Sequence, residues 1–115
     1  MKQYNKVKGT IGEHMALEYL MKKGYKIVEC NYRNSIGEID LIAKDKDTLV
    51  FVEVKYKDNL LYGLPREMVG ARKQSKIRTT ALAYLKKNRL IDTVPIRFDV
   101  IEIVGEKITH LPNAF

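Results

Sequence analysis

The sequence predicts an α/β (α+β) domain built on a central mixed β-sheet of about five strands flanked by two main helices. Three observations carry this. The elements run as one helix, three strands, a second helix and two more strands, which fits a helix-covered mixed sheet and not an alternating βαβ repeat. Two of the strands form a hairpin with a continuous apolar face. The length of 115 residues, with 45% hydrophobic and 30% charged residues, suits one domain with a single modest core. No internal repeat, low-complexity tract or linker divides it, so residues 1–115 form one expected unit.

In chain order, residues 1–9 read as a flexible basic arm. From Thr10 to Lys23, Met15, Ala16, Tyr19 and Leu20 recur at helical spacing, with Thr10 as N-cap and Gly24 as the stop. Tyr25 to Arg33 reads as a strand that ends in the turn-forming cluster of Asn31, Asn34, Ser35 and Gly37. Glu38 to Ala43 and Leu49 to Lys55 are strands joined by the polar stretch from Lys44 to Thr48. After a loop with Gly63 and Pro65, a helical region spans Arg66 to Lys87 and breaks at Gly70. In its longer part Ile77, Ala81 and Leu85 share a face, flanked by Leu82 and Tyr84. Ile96 to Val104 is a strand, and Gly105-Glu106-Lys107 turns it into a last short strand, Ile108 to Leu111.

Composition narrows the functional classes. A net charge of +7 attracts polyanions, although a soluble small domain can carry as much without binding any. No apolar run reaches the ~18–20 residues of a membrane span, and the basic start has no apolar core that would make it a secretion signal. A single cysteine, Cys30, cannot form an internal disulfide. A cytoplasmic protein is expected.

The hairpin carries the chemistry. With its turn at Lys46-Asp47, Asp40 faces Glu53, Glu38 faces Lys55 and Ile42 faces Phe51. Alternation then sends Glu38, Asp40, Glu53 and Lys55 to one side, and Ile39, Leu41, Ala43, Val50, Val52 and Val54 to the other. Directly opposed carboxylates repel, and a divalent cation removes that penalty. Asp and Glu oxygens with a few waters are what Mg²⁺ prefers. Such an ion can activate water for phosphodiester hydrolysis, with Lys55 nearby to orient that water or offset charge on the phosphate. A solvated charged face with a Glu38–Lys55 pair is the bland alternative. Against it stand Ile42 and Phe51 on the same side, which point to a covering helix, and covered carboxylates need a partner.

The stretch Gly37-Glu38-Ile39-Asp40-Leu41-Ile42-Ala43, followed by Phe51-Val52-Glu53-Val54-Lys55, resembles the core of the PD-(D/E)xK nucleases, whose fold is restriction-endonuclease-like. From Gly12-Glu13 through Arg97-Phe98-Asp99-Val100 to Asn113-Ala114-Phe115, the chain resembles the YraN-like family of small bacterial proteins, itself similar to archaeal Holliday-junction resolvases. The resemblance implies Asp40 and Glu53 as ligands of Mg²⁺ or Mn²⁺, a contribution from the Val54 carbonyl, and Lys55 as the catalytic lysine. Ile39 stands where the superfamily pattern has proline, as is common among the junction-resolving relatives. It also implies DNA as substrate, branched or junction DNA included, and a symmetric homodimer.

Glu13 shares a helix face with Ala16, Leu17 and Leu20 and is either a helper at the metal, as in the resolvase-like relatives, or the partner of Thr10 in a capping box. Lys73 and Gln74 open the second helix and, by the same analogy, approach the scissile phosphate or form a solvated helix start. Arg72, Lys76 and Arg78 suit general contacts to the nucleic-acid backbone. Tyr56 and Lys57 continue the strand beyond Lys55, with packing favoured over base stacking for the tyrosine. Arg97 and Asp99 share a strand face as an ion pair. His14 and His110 have no partner at zinc-ligand spacing. The expected function is thus a metal-dependent endonuclease acting on DNA, with a catalytically silent nucleic-acid-binding protein of the same fold as the alternative. Nothing in the sequence separates RNA from DNA.

Overall fold

The computed structural model describes residues 11–57 and 69–115. The expected basic arm, the Thr10 cap, Gly63, Pro65 and the start of the second helical region at Arg66 lie outside them. The described elements are helix α1 (Ile11–Lys22), strands β1 (Lys26–Arg33), β2 (Glu38–Asp45) and β3 (Thr48–Lys57), helix α2 (Ala71–Lys87), and strands β4 (Ile96–Val104) and β5 (Lys107–Leu111). One five-stranded sheet follows the sequence order, β1-β2-β3-β4-β5. Among the described strands only β3 and β4 pair in parallel, and α2 lies in the crossover between them. The other neighbours are antiparallel. This is the expected mixed sheet with two helices.

Local chemistry sets the helix ends. Gly24 takes a left-handed backbone (φ +92°) after α1, which lets Gly24 N–H reach the Met21 carbonyl and Tyr25 N–H the Leu20 carbonyl, both at 3.0 Å. The same 5→2 and 6→1 pattern ends α2, where Arg89 (φ +57°) takes glycine's place and Leu90 N–H reaches the Leu85 carbonyl at 2.8 Å. Gly70 holds an extended backbone just before α2, at the break the sequence predicts. At the hairpin, Lys46 has φ +59°, Asp45 pairs with Thr48, and the ladder continues through Ile42–Phe51 to Leu41–Val52. That is the predicted register as far as Leu41–Val52; the ladder stops before the expected Asp40–Glu53 and Glu38–Lys55 pairs, and Glu38 instead binds Arg33 at 2.8 Å.

Both sheet faces are apolar and both are covered. Ala16 and Leu20 of α1 pack on Leu41, Ala43, Val50, Val52, Ile101 and Ile103. Ile77, Ala81, Tyr84 and Leu85 of α2 pack on Ile42, Phe51 and Val100. The covering helix inferred from Ile42 and Phe51 is therefore α2. Ile39, expected beside Leu41 and Ala43, instead joins the α2 cluster, because this end of β2 lies against that helix. Val54 stays at the margin of the α1 cluster, as expected.

Two close approaches fix the helices. A methyl group at Gly12 would come 2.6 Å from Tyr56 Cβ, so only glycine lets α1 lie this near β3. Tyr56 is accordingly a packing residue. A methyl group at Gly37 would come 2.9 Å from Thr80 Oγ1, so the β1–β2 connection sits directly on α2. Asn34 shapes that connection by accepting the Ile36 and Gly37 N–H groups at 2.9 and 3.2 Å.

Candidate metal centre and nucleic-acid face

The β2–β3 hairpin, the β1–β2 connection and the first turns of α2 enclose a cavity of about 340 Å³ lined by Gly37, Glu38, Asp40, Glu53, Lys73, Lys76 and Ile77. Asp40 sits one residue past the last backbone pair of the β2–β3 ladder. Its carboxylate Oδ2 accepts the Val54 N–H at 2.8 Å. Glu53, on β3, is only 6% exposed although it is charged. Lys73 reaches it from α2, with Nζ 3.0 Å from Oε2.

This arrangement perturbs the titration of its members. Burial, then the Glu53 charge, pushes the Asp40 carboxyl up to about 7; the Val54 N–H and Lys73 oppose the rise, and Glu13 adds to it. Lys73 is raised, chiefly by its hydrogen bond to Glu53. One ammonium thus offsets one of two closely placed carboxylates, and Asp40 carries the residual repulsion.

Among the described residues no three His, Cys, Asp or Glu side chains converge on one point. A divalent ion here would have two carboxylates. That donor set fits Mg²⁺ or Mn²⁺, which bind through one or two carboxylates and keep several waters.

The other predicted site residues divide. Lys73 and Lys76 line the cavity, and Arg72 is exposed one residue before Lys73. Lys55 is half-buried two residues beyond Glu53, next to Glu102 in the β3–β4 register, and does not line the cavity. Gln74 gives its amide nitrogen to the Val69 carbonyl at 2.8 Å, which ties down the start of α2. Arg78 lies away from the cavity, over the rings of Phe98 and Phe115 at 5.7 and 5.5 Å. Glu13 accepts from Asn31 Nδ2 at 3.3 Å while its charge reaches Asp40.

The Lys73–Glu53 pair escaped sequence reasoning. It joins residues 20 positions apart on a strand and a helix, and no local motif encodes it. A second network was half found. The expected Arg97–Asp99 pair is present, with Arg97 Nε 2.9 Å from Asp99 Oδ1. His110 extends it, with Nε2 2.7 Å from Asp99 Oδ2, and the Asn113 N–H, the Tyr25 hydroxyl and the Asp45 carboxylate (3.2 Å from Arg97) join at its other ends. Burial raises the Asp99 carboxyl, but the hydrogen bonds from His110, Arg97 and Asn113 outweigh it and hold that carboxyl below its ordinary range.

Fold and site together define an α+β domain with a carboxylate pair set between a β-hairpin and a basic helix. Residues 12–103 match the model of the uncharacterised protein family UPF0102. The chain belongs to this family, the YraN-like group its sequence pattern resembles. It is 51% identical over 113 residues to a UPF0102 protein of Clostridioides difficile, covering 96% of this chain and 98% of that one. A UPF0102 protein of Alkaliphilus oremlandii is 48% identical over 116 residues, covering 96% and 99%. Another, of Persephonella marina, is 48% identical over 109 residues, covering 95% and 93%. Among the described residues no helix is long and apolar enough to cross a membrane.

Proposed function

We propose that this protein is a Mg²⁺- or Mn²⁺-dependent endonuclease of the PD-(D/E)xK type that hydrolyses DNA phosphodiester bonds. The observation that carries the reading is the apposition of Asp40 and Glu53 in one cavity, with the Asp40 carboxyl pushed up to about 7 by burial and by Glu53. A protein that only bound a polyanion would gain nothing from two carboxylates facing it.

In this reading Asp40 and Glu53 hold the metal, with the Val54 carbonyl as a further ligand. The Val54 N–H fixes the Asp40 carboxylate, so this ligand is oriented before any ion arrives. Bound there, the ion supplies a water acidified for attack and a positive charge beside the phosphoryl oxygen. Lys55 orients that water or offsets charge on the phosphate, and Glu13 and Gln74 assist from the two helices. Arg72, Lys73 and Lys76 face the DNA backbone, giving salt-sensitive binding without base readout. Branched or junction DNA as substrate, action as a homodimer and a cytoplasmic location complete the proposal. They rest on family analogy, and for location on the lone Cys30.

The test is cleavage of labelled linear, flapped, four-way-junction and single-stranded DNA in Mg²⁺, Mn²⁺ or EDTA, comparing wild type with Glu53→Ala. Metal-dependent cutting that the variant lacks establishes the nuclease. Binding without cutting, alike in both proteins, would assign the fold to a catalytically silent nucleic-acid-binding protein. Parallel RNA substrates decide the sugar preference.

A further inference from the structure

Among the described residues two cationic side chains line the carboxylate cavity, and they differ in what they touch. Lys73 Nζ lies 3.0 Å from Glu53 Oε2, whereas Lys76 lines the wall about one helical turn further along α2. The Glu53 side chain is 8% exposed and the Lys73 side chain 54%. One partner of this ion pair is fixed in the sheet, and the other has open solvent to move into.

We propose that Lys73 is a built-in counter-ion of the carboxylate pair, which a divalent metal must displace from Glu53 in order to bind. The proposal rests on the metal reading above and adds a control on metal loading. A buried carboxylate needs a positive partner, and without a metal Lys73 provides it. Asp40 has its own direct partner in the Val54 N–H, so the ammonium serves Glu53 first. A single positive charge offsets one carboxylate, whereas a divalent ion offsets both, and the exchange gains most when both are ionised. Asp40 and Glu53 would hold the ion, and Lys73 on Glu53 would then meet like charge. Lys73 then swings along the exposed side of α2, where a phosphate of the bound nucleic acid is its natural partner. Metal entry and phosphate capture are thereby coupled, because a DNA strand that takes up the Lys73 ammonium also vacates Glu53.

The experiment is Mn²⁺ binding to the full chain without nucleic acid, read from the electron paramagnetic resonance of free Mn²⁺. It compares wild type, Lys73→Met, Lys73→Arg and Lys76→Met. Lys73→Met keeps the apolar stem at a surface position, and circular dichroism verifies each fold. Removing a competing unit charge at contact distance should tighten Mn²⁺ binding about tenfold or more in Lys73→Met. Lys73→Arg should stay close to wild type, and Lys76→Met should change affinity much less than Lys73→Met. If Lys73→Met binds Mn²⁺ no tighter than wild type, or if Lys76→Met tightens it equally, Lys73 is not the displaced counter-ion, and the metal site stands without it. If none of the four proteins binds Mn²⁺ at millimolar concentration, the metal reading falls, and this inference with it.

Discussion

The Asp40 carboxylate accepts the Val54 N–H at 2.8 Å, standing in for a main-chain carbonyl where the β2–β3 ladder stops. An asparagine can accept the same bond but carries no charge. Folding raises the Asp40 carboxyl from an ordinary 3.8 to about 7, so the folded state binds this proton more tightly than the unfolded chain does. The Asp40 contribution to stability is therefore greatest below the unfolded value, falls as pH rises from about 4 to about 7, and is level above that. In EDTA, urea denaturation of Asp40→Asn should lack this fall, which is on the order of a few kcal/mol in wild type. Equal pH profiles for the two proteins would show that Asp40 ionises freely.

Lys55 should matter to turnover and not to folding. It is half-buried near the end of β3 and does not line the cavity. Lys55→Ala is expected to lower cleavage by about 100-fold or more, the scale seen when one preorganised donor is removed from a transition state. Its Tm should stay within a few degrees of wild type. Full activity in both purified Lys55→Ala and Asp40→Asn would remove the proposed site.

The cations of α2 should separate by role. Arg72→Ala and Lys76→Ala are expected to weaken binding to all DNA sequences, each flattening the log–log salt dependence by about 0.9 for one lost phosphate contact. Arg78 instead lies over the Phe98 and Phe115 rings. Arg78→Ala should leave the salt slope unchanged and lower stability by about 0.5–1 kcal/mol. Fluorescence anisotropy across a salt series, with parallel denaturation curves, distinguishes the two.

The Asp99 network should behave as a structural unit. Asp99 is fully buried and holds Arg97, His110 and the Asn113 N–H together. Asp99→Ala removes the acceptor shared by Arg97, His110 and the Asn113 N–H, leaving Arg97 its 3.2 Å bridge to Asp45, and is expected to cost about 3–5 kcal/mol in chemical denaturation. Because folding lowers the Asp99 carboxyl, its contribution is present above the unfolded value and is lost as pH falls through the folded one. The acid side of the wild-type stability profile should therefore steepen below about pH 4, and His110→Ala should blunt that step.

What the sequence made legible was whatever a short stretch encodes by itself. The hairpin register followed from a polar two-residue turn between alternating strands, and with it the meeting of Asp40 and Glu53 in one cavity just past the end of the ladder. Gly24 and Gly70 marked helix boundaries correctly. The end of α2 falls at Lys87 as expected, although no glycine marks it and Arg89 adopts the left-handed backbone instead. Ile39 went to the opposite cluster because packing at the end of β2 overrides simple alternation. Long-range polar partners were the least legible. Lys73 meets Glu53, and His110 meets Asp99, only once the crossover and the last hairpin are folded, and no spacing rule reaches across those distances.

The sheet order has a kinetic consequence. Because β1, β2 and β3 are consecutive antiparallel neighbours, and β4 and β5 form a second local pair, most ladders close over short loops. The exception is the parallel β3–β4 seam, whose paired residues lie 47 positions apart, from Leu49–Ile96 to Lys57–Val104. Its closure entropy makes it the slow step expected of the chain. The two carboxylates lie on one hairpin and come together early, whereas α2 docks only as the crossover closes. Short-loop closure of the hairpin ahead of the crossover should leave Asp40 and Glu53 together in water, screened by solvent, before the helix shuts them in.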